Sequence, residues 1–66
     1  MAHKRIYTAA ELDTLVDQEI TVDAPDAVYR NFMLNAVRKD GRFEIYGKDG
    51  KNINLHLGEC KVFVTI

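Results

Sequence analysis

The sequence predicts an α+β chain, mostly β: an N-terminal helix, then about five short antiparallel strands curled into a small barrel. Three observations predict it. The turn word Lys-Asp-Gly occurs twice, at 39–41 and 48–50, and its Gly takes a positive φ at little steric cost. Alternating apolar residues flank both turns, so the centre reads strand, tight turn, strand, tight turn, strand. A helix-start signal, Thr8-x-x-Glu11, stands ahead of them.

Residues 1–7, MAHKRIY, are basic with no apolar stretch behind them. They are expected to be a flexible lead-in rather than a signal peptide. Residues 8–18 read as the helix, with Thr8 and Glu11 as a capping box and Tyr7 stapled onto Leu12. Leu12, Leu15 and Val16, with Ala9, form its apolar stripe, leaving Glu11, Asp13 and Asp17 as an acidic outer face. Glu19 to Asp23 alternates with Ile20 and Val22 inward and reads as a strand ended by Pro25.

Ala27 to Arg38 has two readings. As a helix, Val28, Tyr29, Phe32, Met33, Ala36 and Val37 share a stripe, and the fold becomes two helices on a three-stranded antiparallel sheet. As a strand, Phe32, Leu34 and Ala36 alternate with Met33, Asn35 and Val37 and run straight into the first turn. Asn31 and Asn35 are poor helix-interior residues, which favours the strand. Arg42 to Tyr46 turns Phe43 and Ile45 inward. A three-residue turn at 48–50 pairs Gly47 with Lys51, setting Ile45 opposite Ile53 and Phe43 opposite Leu55. Lys51 to Leu57 then carries Ile53, Leu55 and Leu57 inward, with Asn52, Asn54 and His56 outward. Gly58-Glu59 allows a bend. Lys61 to Ile66 is the last strand, and its apolar final residue, Ile66, is expected to pack.

The sum is one domain over 1–66: a lead-in at 1–7, a helix at 8–18 and a β-rich barrel at 19–66, with its strands in meander order. One short helix over five short strands suits a strongly bent SH3-like barrel. A chain of 66 residues buries only about 60% of its unfolded surface, so the core is small. Its apolar fraction of 47% is that of a globular protein. No apolar run approaches the ~20 residues that span a bilayer, so no membrane partner is expected. A single cysteine, Cys60, forms no internal disulfide, which suits the cytoplasm.

Charge and motif content favour binding over catalysis. Net charge is −1, with an acidic first third and a mildly basic remainder. That balance does not demand a nucleic-acid partner. There is no serine, no phosphate-binding glycine pattern and no oxyanion loop beside Cys60. His56 and Cys60 lie across a strand and a bend, too little for a metal site. No catalytic residue, metal or cofactor is expected. The leading expectation is a protein-binding module, of the adaptor or inhibitor size that phages and mobile elements encode. Its contacts would come from the acidic Glu11, Asp13 and Asp17, from Tyr29, Arg30 and Tyr46, and from an exposed strand edge. Self-association into a homo-oligomer is compatible with such an edge.

The centre also resembles the Sm-like (Hfq-type) family of small β-barrels. The resemblance rests on Lys39-Asp40-Gly41-Arg42, on Gly47 and Asp49, and on Ile53-Asn54-Leu55-His56-Leu57. It implies an N-terminal helix, five bent strands and a ring of subunits that binds RNA. By that likeness Asn54 contacts a base, Asn52 takes the stacking position, and Arg42, Lys48 and Lys51 supply positive charge. RNA is therefore the alternative partner.

Overall fold

The computed structural model describes residues 2–65. The expected packing of Ile66 lies outside the described residues. The chain forms strand β1 (His3–Ile6), helix α1 (Ala9–Asp13) and strands β2 (Glu19–Asp23), β3 (Val28–Val37), β4 (Arg42–Tyr46), β5 (Asn52–His56) and β6 (Lys61–Thr65). The strands make one antiparallel sheet in the order β1-β6-β2-β3-β4-β5. β2 to β5 follow the expected meander. β6 departs from it, because it crosses back to lie between β1 and β2 rather than beside β5. Its alternation explains the return, since Val62 and Val64 both bury and need the core under β2.

Both Lys-Asp-Gly segments form the expected turns. Gly41 has φ +97° and Gly50 φ +79°. Asp40 Oδ1 accepts the Arg42 N–H at 3.0 Å, and Asp49 Oδ1 accepts the Lys51 N–H at 3.1 Å. The resulting register sets Ile45 opposite Ile53 and Phe43 opposite Leu55, as turn length and alternation require. Within the segment 27–38, Val28–Val37 is a strand, and the helical alternative is set aside. β3 carries an extra residue at two places: Arg30 and Asn31 face Thr21, and Asn35 and Ala36 face Glu44. Each bulge bends the strand and sharpens its twist. Asn31 takes the left-handed conformation, φ 57°, which Asn tolerates better than most residues.

Three N-terminal expectations are corrected. Residues 1–7 are not simply a lead-in, because His3–Ile6 pairs with β6 and Ile6 is buried. Backbone pairing holds this strand, and its single inward apolar residue gives no readable alternation. The helix is shorter than 8–18 and ends at Asp13, with Thr14 as its C-cap. Asp17 adopts φ 70° and donates its N–H to the Leu34 carbonyl at 2.8 Å, while Leu34 N–H returns to the Gln18 carbonyl. Pairing with β3 therefore takes over where helical periodicity would continue. The cap itself forms: Glu11 N–H donates to Thr8 Oγ1 at 3.1 Å, and the Thr8 hydroxyl donates to the Glu11 carboxylate. The Tyr7 staple does not, since Tyr7 is 67% exposed with the Arg5 guanidinium 4.8 Å from its ring centroid.

One apolar cluster joins Ile6, Leu12, Ile20, Val22, Ala24, Leu34, Phe43, Ile45, Cys60, Val62 and Val64. The two bulges let a single sheet curl around it. Full burial of Leu12, Ile20, Leu34 or Ile45 stabilises the fold by about 2 kcal/mol each. Every strand but β5 contributes a buried residue.

Candidate functional site

The exception, β5, is the feature around which a site can be built. Among the described residues it pairs with β4 alone and so ends the sheet. Its inward residues Ile53 and Leu55 are half-buried, although their partners Ile45 and Phe43 are buried. The difference follows from position: β4 is flanked on both sides and β5 on one. Leu57 N–H donates to the Gly41 carbonyl at 2.8 Å. By strand alternation, Leu55 and Ile53 also direct their backbone groups to β4. The N–H groups of Asn52, Asn54 and His56 therefore point to the open edge. The His56 carbonyl is already engaged by Glu59 N–H at 2.9 Å.

Along this edge lies an open cleft of about 1090 Å³, shared by Asn54, Leu55 and His56 with Pro25, Asp26, Glu59 and Cys60, and by the β3–β4 end at Ala36–Arg38 and Arg42–Glu44. Its charges are mixed: Arg38 and Arg42 against Asp26, Glu44 and Glu59. Arg42 is partly committed, with its Nε 3.3 Å from Asp40. Burial raises the Cys60 thiol above its ordinary value, with a His56 backbone hydrogen bond pulling the other way. A thiol held protonated is a poor nucleophile. Among the described residues, no group of three or more His, Cys, Asp or Glu side chains is placed to hold a metal ion. Among the same residues, no helix is long and apolar enough to cross a membrane.

The residues singled out from the sequence fall into two regions. Arg42, Asn54 and Asn52 share one face of the β4–β5 ladder, opposite His56, Glu44 and Tyr46 respectively. Lys48 and Lys51 are exposed at the turn joining these strands. Glu44 interrupts the positive character of this face and accepts a hydrogen bond from Asn35 Nδ2 at 3.0 Å. Tyr46 belongs here and not with the acidic residues. Asp13 and Asp17 are exposed on and just after α1, whereas Glu11 is half-buried and bonded to Thr8. Arg30 is exposed on β3. Tyr29 packs against the core, edge-on to Phe32 at 5.4 Å. Its hydroxyl donates to Asp26 at 3.2 Å, and partial burial, with Asp26, raises its pKa.

His56 has a role the sequence reading missed. Its Nδ1 accepts the Gly58 N–H at 3.0 Å, and its imidazole lies against Gly41. Its place two residues before a Gly was the available signal for the first contact. A readable sign of the edge itself was also present: Asn52-Ile53-Asn54-Leu55-His56 contains no Lys, Arg, Asp, Glu or Pro. Compared with protein-family models, curated proteins and solved structures, the chain gives no match.

Proposed function

We propose that this chain is a non-catalytic, cytoplasmic binding module that captures another protein by strand addition at β5. One observation carries the reading. β5 ends the sheet with backbone N–H groups turned outward and half-buried apolar side chains beside them. Natural edges are usually blunted by charge, proline or a covering element. An edge without those devices is suited to receive an extended segment, with main-chain bonds for affinity and Ile53 and Leu55 for specificity. In this reading the curled sheet is a barrel left open at β5, and the partner's strand completes its wall. Adaptor or inhibitor action follows, because a captured segment is withdrawn from its own fold or its other contacts.

Capture from the native host tests this. Asn54→Pro removes an outward N–H without touching the β4 ladder, and it should abolish capture of the partner. Asp13→Lys with Asp17→Lys should leave capture intact. The opposite pattern would move the site to the acidic segment. The shared face of Arg42, Asn52 and Asn54 favours a second reading, an Sm-like RNA-binding ring. That reading requires RNA affinity that falls steeply with salt and a solution mass of several subunits.

A further inference from the structure

We infer that β5 pairs with β5 of a second copy of this chain, giving a two-fold dimer centred on Asn54; this rests on the strand-addition reading above. The sheet has two ends, and their chemistry differs. β1 ends it with Lys4 and Arg5, so two β1 edges brought together would repel. β5 ends it with Asn52, Ile53, Asn54, Leu55 and His56, without a formal charge. It also carries no acid to attract β1, which disfavours head-to-tail pairing.

Antiparallel pairing of β5 with itself is self-complementary in one register. With the axis through Asn54, that residue exchanges both backbone bonds with the copy's Asn54. The His56 N–H meets the copy's Asn52 carbonyl, and Ile53 lies opposite the copy's Leu55. The outward N–H groups of Asn54 and His56 each find an acceptor, while that of Asn52 shares the copy's His56 carbonyl with Glu59 N–H, and the half-buried apolar row continues across the junction. A two-fold interface needs this kind of self-matching patch. An edge of five residues is at the small end of specific interfaces, so a dissociation constant in the range of about 1–100 µM is expected. The dimer masks the edge at high concentration, and dilution frees it for a different partner.

The test uses the full chain in sedimentation velocity from about 1 µM to about 1 mM, a range spanning the expected constant. The expected result is a rise from 7.5 kDa toward twice that mass. Asn54→Lys places two like charges in contact at the axis and should weaken association at least about tenfold; Asn54→Glu should do the same. An equimolar mixture of the two should restore the dimer. Position 54 is exposed and makes no side-chain hydrogen bond among those described, and it faces Glu44 across the ladder. Asn54→Lys should therefore fold as the unaltered chain does, while Asn54→Glu meets a like charge there and should be folded but slightly less stable, which circular dichroism checks. A wild-type chain that stays monomeric, or an Asn54→Lys chain that associates undiminished, overturns the proposal. The peptide KNINLHL, titrated against labelled protein, separates this from the broader reading. With a monomeric chain, amide shifts at Asn52, Asn54 and His56 retain strand addition and discard self-pairing; their absence discards both.

Discussion

The two Lys-Asp-Gly turns share residues and turn hydrogen bonds but not surroundings. At the first, Gly41 is buried, and an added Cβ would meet His56 Cε1 at 3.2 Å. Its carbonyl also accepts from Leu57, tying the turn to the end of β5. At the second, Gly50 is exposed with nothing within 4 Å of an added Cβ. The local word decides the shape of each turn. The neighbours decide how much of the fold depends on it.

Gly41→Ala should be the most damaging change of the pair. An L-residue at that φ is strained, and His56 must also move, so a loss of about 2–3 kcal/mol is expected in urea unfolding. Gly50→Ala carries the backbone strain alone and should lose about 1 kcal/mol. Equal losses would show that backbone strain is the whole effect and that the His56 contact is idle. His56→Ala sharpens the comparison. It removes the acceptor for Gly58 N–H, for about 1 kcal/mol, and clears the space beside Gly41. In a double-mutant cycle Gly41→Ala should then fall to the loss seen at Gly50.

The smallest expected effect is alkaline. Cys60 and Tyr29 both have raised pKa values in the folded chain, chiefly through burial. Such acids keep their protons longer when folded than when unfolded. The stability they contribute is complete below their ordinary values of 9.0 and 10.0, and it is lost as pH rises through the folded values. Thermal midpoints should decline above pH 9.0, the ordinary value of the thiol, and Cys60→Ala should delay the onset.

What the sequence made legible follows the same division. The β4–β5 register could be read because a three-residue turn and period-2 alternation each fix it and agree. The strand reading of 27–38 could be reached because Asn31 and Asn35 argue against a helix. Their actual use, at the two bulges, could not, since an extra residue leaves no periodic mark. β1 was illegible because its hold on the sheet is backbone pairing to a strand far along the chain. The helix was overread at Asp17, where a hydrogen bond to Leu34 overrides local propensity. At the candidate site, the uncharged run 52–56 was visible, but only the strand order reveals that it ends the sheet. The acidic trio was read as one surface; capping of Thr8 removes Glu11 from it.

β1 and β6 place His3 directly across from Thr65. The first and last rungs of the described chain are thus neighbours, separated by about 5 Å. A few added residues would splice them into a circle. Such a circle, cut instead between Lys48 and Lys51, would keep every ladder while making β6-to-β1 a local hairpin and β4-to-β5 a remote pairing. The order in which the strands meet, and not the architecture they reach, is what that reconnection would change.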